Sequence, residues 1–320
     1  MASAKSAVVT GGAGFIGSHV VDRLVGDGYR VTVIDDLSSG KRENLPPGVE
    51  LVVADVTSDA TDAAIKRAAP TLVVHTAAQI SVTKATREPL EDARINVIGT
   101  VNVLEAARAA GTAKVVFFSS GGTVYGQPDR LPVDESHPKD PENPYGTSKL
   151  AGEEYLAMYR RAFGLDSMTL RLANVYGPRQ DPHGEAGVVA IFTRAMLADA
   201  PVTIFGDGND ERDYVYVSDV VDAVIAASGP GGPGGPGACN IGSGKGTTVN
   251  KLCAMLSELT GYTRKPLYGP PRPGDIHAIS LDAGLARAKL GWSPKVPFDA
   301  GLARTVEFFR EQADRERAGG

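Results

Sequence analysis

The stretch Val8-Val9-Thr10-Gly11-Gly12-Ala13-Gly14-Phe15-Ile16-Gly17 constrains this chain more than any other. An apolar run from Ala7 to Thr10 reads as a strand, and it feeds glycines three apart at Gly11, Gly14 and Gly17. An amphipathic run from Phe15 to Val25 then reads as a helix. The first glycine permits a tight strand-to-helix turn, the second lets backbone N–H groups approach a phosphate, and the third lets the helix lie close on the strand. The positive end of the helix then faces the anion. Glycines spent only on a tight turn are the alternative, and the next strand weighs against it. That strand, Arg30 to Ile34, ends in Asp35-Asp36 about 20 residues downstream, where an acid should hold a ribose diol. An acid there disfavours a 2′-phosphate, so NAD is expected rather than NADP. Gly11, Gly12, Gly14, Phe15, Ile16, Gly17, Asp35, Asp36 and the following Leu37, Ser38, Ser39 and Gly40 form the candidate cofactor cradle.

Apolar runs at Leu51 to Ala54, Thr71 to His75, Lys114 to Ser119 and Ser167 to Val175 read as further buried strands. Helical patterns lie between them, around Asp59 to Ala69 and Arg94 to Ala110, the latter stopping at Gly111. This alternation predicts an α/β fold, a doubly wound parallel sheet over residues 1–175. Beyond it the rhythm loosens: helices at Gly187 to Ala200, Ser218 to Ala227 and Thr248 to Thr260, with a short strand at Val202 to Phe205. Residues 176–320 are therefore expected to form mainly a smaller C-terminal substrate-binding lobe, with some segments returning to the first domain. The Gly/Pro run 229–237 reads as a surface loop before a strand at Ala238 to Ile241.

The 320 residues carry a formal charge of −5, which argues against binding nucleic acid or an anionic membrane surface. With no run of 18 apolar residues, no transmembrane helix is expected. The N-terminus leads into the first strand without a signal-peptide core, which points to the cytoplasm. Cys239 and Cys253 lack metal or CxxC spacing and read as buried thiols, so no metal site is expected.

Tyr145-Gly146-Thr147-Ser148-Lys149 carries the chemistry. Pro144 suits a first helical turn, so Tyr145 and Lys149, four apart, project from one face. A phenol of pKa about 10 is a poor base at neutral pH. An adjacent ammonium and a cationic nicotinamide would both favour the phenolate.

Gly11 to Gly17, Tyr145-x-x-x-Lys149 and the segment Ser119-Ser120-Gly121-Gly122-Thr123-Val124-Tyr125-Gly126 together resemble the extended short-chain dehydrogenase/reductases, whose nucleotide-binding part is Rossmann-type. Arg171 to Gln180, Phe205-Gly206-Asp207-Gly208, Arg212 to Val220 and Arg272-Pro273-Gly274-Asp275 narrow the resemblance to the nucleotide-sugar half of that family, and most to its UDP-glucose 4-epimerases. The resemblance implies that Asp55 and Val56 read adenine, and that Ala77, Ala78, Gln79, Asn96, Ser119 and Ala173 line the cofactor cleft. Tyr145 would be the base and Lys149 the ribose ligand that assists it. Asn174, Gly187 and Val188 would lie beside the sugar and first phosphate. Thr203, Ile204 and Phe205 would meet uracil, Arg212 and Arg272 would clamp the diphosphate, and Asp275 would hold a ribose hydroxyl.

The family usually places a Ser or Thr hydroxyl where this chain has Gly121. Thr123 or Ser120 is the expected substitute, with Thr123 favoured. No acidic pair occupies Gly122 and Thr123, which disfavours a 4,6-dehydratase. The function expected from the resemblance is an NAD-dependent UDP-glucose/UDP-galactose 4-epimerase, an isomerase with tightly held cofactor and, by analogy, a homodimer. Alternatives are a UDP-glucuronate or UDP-N-acetylhexosamine 4-epimerase, in which Arg179 could meet a carboxylate and Ile279 limits bulk near the sugar. A silent NAD-binding sensor is the reading from another class. His183, in the loop 181–186, reads as a residue near the substrate mouth, and His75 as structural.

Overall fold

The structure, a computed structural model, describes residues 5–182, 187–229, 237–271 and 276–318. Alternating helices and apolar strands build a parallel sheet of seven strands. In spatial order they are Ala238–Ile241, Ser167–Leu172, Lys114–Ser120, Leu72–His75, Ser6–Thr10, Arg30–Asp35 and Glu50–Val53. Strands this apolar, buried on both faces, require helices above and below. On one face, Val20, Val21 and Leu24 of helix Phe15–Gly26 and Val220, Val221 and Val224 of helix Val217–Ala227 pack on Val9, Val116 and Leu170. On the other, helices Asp59–Ala68, Gly99–Ala109 and Pro144–Phe163 bring Ile65, Leu104 and Leu156 against Val8, Val73 and Phe117. Neighbours such as Val8 and Val9 thus serve opposite cores, as the strand period of two dictates.

The expected single run from Ser167 to Val175 is two strands. Ser167–Leu172 lies in the large sheet, whereas Asn174–Tyr176 pairs with Glu211–Tyr216 in a second, four-stranded sheet completed by Gly246–Thr248 and Ala278–Ile279. Thr203–Phe205 and Leu267–Gly269 form a separate two-stranded ribbon. Helices Val188–Leu197, Val249–Thr260 and Phe298–Ala318 cover this lobe around Phe192, Leu252, Leu256 and Leu302. The chain then returns: Ala238–Ile241, far beyond residue 175, is the last strand of the large sheet.

The segment between His75 and Gly99 is more helical than its sequence suggests. Val82–Arg87 and Pro89–Ala93 are short helices, and a single π-helical stretch, Arg94–Ile98, joins the second to Gly99–Ala109. Pro89 stands at a first helical position, where its missing N–H costs nothing. Among the described residues no helix is long and apolar enough to cross a membrane, and no group of His, Cys, Asp and Glu could hold a metal ion. Both cysteines are free and buried.

Candidate active site

The glycine turn is built as its spacing predicts. Gly11 has φ +67°, and a Cβ there would lie 2.7 Å from the Ala77 nitrogen. A Cβ on Gly17 would lie 2.2 Å from the Gly11 carbonyl, so only glycine lets the helix sit this close. Helix Phe15–Gly26 begins with no side-chain cap and no acid in its first turn, which leaves its N-terminal N–H groups for an anion. Asp35 ends the second strand and is buried; its carboxylate accepts from Ala13 N and Leu37 N, each at 2.9 Å. Loss of hydration pushes the Asp35 carboxyl up. A Cβ on Gly40 would lie 2.6 Å from that carboxylate, which accounts for the glycine. Asp36 is exposed and accepts from both the N–H and the hydroxyl of Ser38, and Ser39 is exposed beside it.

Across the sheet, Asp55 accepts from Thr57 and pairs with Arg94 at 2.9 Å, and Val56 is buried beside it. Ala77 and Ala78 edge the cleft half-buried. Asn96 turns its amide inward: its oxygen accepts from Gln79 N at 3.0 Å, and its nitrogen donates to Gln79 O and to Asp92. Asn96 therefore fixes the wall of the cleft from behind.

Asn143 caps helix Pro144–Phe163 by accepting from Gly146 N at 2.9 Å, and Pro144 opens it. Tyr145 and Lys149 follow on one face as expected. The Ser120 hydroxyl is hydrogen-bonded to the Tyr145 phenol. The Lys149 ammonium lies 4.9 Å from the Phe117 ring centroid and 6.0 Å from that of Tyr145. Burial pushes Tyr145 up to about 12, with the Ser120 hydrogen bond opposing, and pushes Lys149 down to about 8, opposed by Asp92 and Glu153. Desolvation is the largest cause of the Tyr145 shift; the expected pull toward neutrality rests on the lysine together with the nicotinamide charge. His75, at the end of its strand, hydrogen-bonds Thr10 at 2.7 Å and Thr100 at 3.1 Å and is structural.

Ser119 is buried and donates to Glu153 at 2.6 Å. Glu153 also holds the buried Arg171 at 2.6 Å, and Arg171 donates to Tyr125, whose hydroxyl donates to Asn240. A Cβ at Gly121 would lie 2.4 Å from Leu281 Cδ1, the end of a fully buried side chain that would have to shift. The Thr123 hydroxyl is buried without a hydrogen-bond partner.

On the substrate side, Ala173 is buried and Asn174 exposed at the sheet junction. Gly187 (φ +143°) and Val188 begin helix Val188–Leu197. Ile204 is buried while Thr203 and Phe205 face outward, Phe205 being 42% exposed. Arg212 is half-buried and donates to its neighbour's carbonyl at 2.9 Å. Ile279, buried, pairs in register with Arg212. Arg179 meets Asp22 at 2.7 Å. Arg272, Asp275, His183 and 230–236 of the Gly/Pro run lie outside the described residues. Sequence reasoning missed Asp92, Glu153 and Arg171; the first two stand one helical turn from Asn96 and Lys149, and that spacing was the available signal.

Fold and cleft together define an NAD-dependent enzyme of the extended short-chain dehydrogenase/reductase type, on a Rossmann-type sheet. The chain belongs to the NAD dependent epimerase/dehydratase family, which its residues 7–242 match. A UDP-glucose 4-epimerase from Mycolicibacterium smegmatis is 49% identical over 311 residues, covering 96% of this chain and 99% of that one. The crystal structure of a UDP-glucose 4-epimerase with UDP-glucose from Thermotoga maritima superimposes with TM-score 0.92 at 48% identity, covering 96% and 99% of the two chains. That of a Thermus thermophilus UDP-glucose 4-epimerase in complex with NAD gives TM-score 0.89 at 43% identity, covering 95% and 99%.

Proposed function

We propose that this protein is an NAD-dependent 4-epimerase interconverting UDP-glucose and UDP-galactose. The observation that carries the reading is Tyr145, hydrogen-bonded to the Ser120 hydroxyl with the Lys149 ammonium 6.0 Å from its ring centroid. The residues present fit NAD. The uncapped helix start accepts its pyrophosphate, and the Asp35 carboxylate, held by the backbone N–H groups of Ala13, Leu37 and Gly14, stands where a ribose diol would be bound. Bound NAD supplies a reversible hydride acceptor and a positive charge near the phenol. That charge is what Tyr145 needs, since its own surroundings hold it at about 12.

Tyr145, as phenolate, takes the proton of the sugar 4-hydroxyl while C4 gives up its hydride, for which bound NAD would be the acceptor. The resulting 4-keto sugar turns about its diphosphate linkage. When its opposite face is presented, C4 takes the hydride back on that face as Tyr145 returns the proton to the oxygen, which inverts C4. Ser120 takes the place of the hydroxyl that Gly121 cannot supply. The partnerless Thr123 hydroxyl is the second candidate for that oxygen. Phe205 stacks on uracil, Arg212 with Arg272 grips the diphosphate, and Asp275 holds a ribose hydroxyl. A firm hold on UDP with a loose hold on the sugar is what the turnover demands.

UDP-glucuronate is less well served, because Arg179 is engaged by Asp22. By family analogy the enzyme is a homodimer through the helical runs 94–110 and 149–163, which leave Ile98, Tyr155 and Phe163 exposed. Its two unbridged cysteines suit the cytoplasm.

The test is incubation of the purified protein with UDP-glucose, no NAD added, with products resolved by NMR. UDP-galactose is expected from the wild type. Tyr145→Phe should lose at least about 10²-fold in turnover while retaining NAD and UDP binding. Turnover of UDP-glucuronate alone would move the substrate, and an active Tyr145→Phe would sink the assignment.

A further inference from the structure

Asp92, at the end of the short helix Pro89–Ala93, is 1% exposed, yet no arginine, lysine or histidine forms an ion pair with it among the described residues. Its carboxylate accepts instead from Gln79 Nε2 at 2.9 Å, Asn96 Nδ2 at 2.9 Å and Ser148 Oγ at 2.7 Å. The sense of the two amide bonds is fixed independently. Gln79 Oε1 already accepts from Ser81 N, and Asn96 Oδ1 from Gln79 N, so both amides present NH₂ to Asp92. One oxygen thus takes two donors and the other the Ser148 hydroxyl, the arrangement of an ionised carboxylate.

A buried ionised carboxylate is costly unless a cation compensates it. Helix Pro144–Phe163 places such a cation on the residue after Ser148: Lys149, itself 3% exposed and in no ion pair among the described residues. The other charges around the pair are already accounted for. Glu153 is held by Arg171 from strand Ser167–Leu172. His75, from strand Leu72–His75, is kept neutral by burial, and Phe117 from strand Lys114–Ser120 offers only its ring. On the segment carrying Asp92, Arg94 pairs with Glu91 and Asp55. Lys84 of helix Val82–Arg87 acts on Glu91, at the outer side.

We propose that Asp92 is a positioning residue, the buried counter-charge that keeps Lys149 an ammonium and, through Ser148, Gln79 and Asn96, ties the catalytic helix to the wall of the cofactor cleft. Asp92 acts on both catalytic groups in the same sense, favouring the protonated forms of Lys149 and of Tyr145. Removing its charge would therefore move both titrations to lower pH together. The inference rests on the roles proposed for Tyr145 and Lys149.

The test combines a pH profile with an unfolding cycle. Asp92→Asn keeps the shape and removes the charge, so both limbs of the turnover profile should move about one unit to lower pH. Ser148→Ala removes one hydrogen bond and leaves the charge, so its limbs should stay in place. In thermal unfolding, Asp92→Asn with Lys149→Met should melt higher than the two single effects add up to. If Asp92→Asn alone does not fold, the Lys149→Met background should restore a cooperative melt. Unmoved limbs with additive melting shifts, or no restored melt, would overturn the proposal. Because the cycle is read from unfolding, a wild type inactive on UDP-sugars with a coupled pair would refute the function and leave the pairing standing.

Discussion

Burial sets the direction in which His75, Tyr145 and Lys149 shift, and His75 gives the cleanest measure of it. It is 2% exposed, both ring nitrogens are hydrogen-bonded to threonine hydroxyls, and desolvation, with the Lys149 charge behind it, lowers it to about 3. A base lowered in the folded state contributes stability that is complete above its unfolded pKa and lost as pH falls toward the folded one. The window is therefore from about 6.5 down to about 3. Between pH 7 and pH 5 this one group should remove about 2 kcal/mol, which thermal unfolding of wild type against His75→Asn would read as a smaller acid loss in the variant. Equal acid sensitivity would mean the ring is hydrated. The structural role of His75 was legible from its place at a strand end. The direction of the Tyr145 shift was not, because a sequence shows which charges are near in number and not how much water is excluded.

At the scale of elements, the sequence was most readable where periodicity and punctuation agree. The turn from Ser6–Thr10 into Phe15–Gly26 is the strongest case, since the spacing of Gly11 and Gly17 states a contact as well as a turn. Gly17→Ala should drive a methyl into the Gly11 carbonyl, costing about 1–3 kcal/mol in urea unfolding and weakening NAD binding together. A stable variant with unchanged binding would show the helix free to shift. Strand Glu211–Tyr216 was less readable because Asp213 breaks its apolar pattern. That carboxylate is buried and satisfied by the N–H groups of Ser243, Gly244 and Leu281, partners known only after folding. The helices Val82–Arg87 and Pro89–Ala93 are too short for a period to declare itself. Only the four-residue spacing of Asp92 from Asn96 marked it.

For the whole molecule, the last strand of the large sheet is made only after the chain has entered the small lobe and come back. Ala238–Ile241 hydrogen-bonds along Ser167–Leu172, and Asn240 behind it takes up Tyr125 and, through it, Arg171. A fragment of residues 1–175 would leave that strand edge unpaired and the Arg171 network broken. It should fail to give a soluble, cooperatively unfolding monomer, as circular dichroism and size-exclusion chromatography would report; a well-behaved fragment would show the first lobe to be autonomous. A linear reading found the order of strands up to Ser167–Leu172, and the resemblance found the cleft. It expected some segment beyond 175 to return to the first domain but could not say which one pairs, since pairing of strands some 70 residues apart has no local signature.

Leu281 and Gly121 share one space beside the catalytic segment. A side chain at 121 would meet the Leu281 methyl groups, so a serine there requires that leucine to turn aside or to be trimmed. Trimming a fully buried leucine opens a void unless the new side chain fills it. A designer restoring a hydroxyl at 121 would therefore treat the two positions as one unit and change them together.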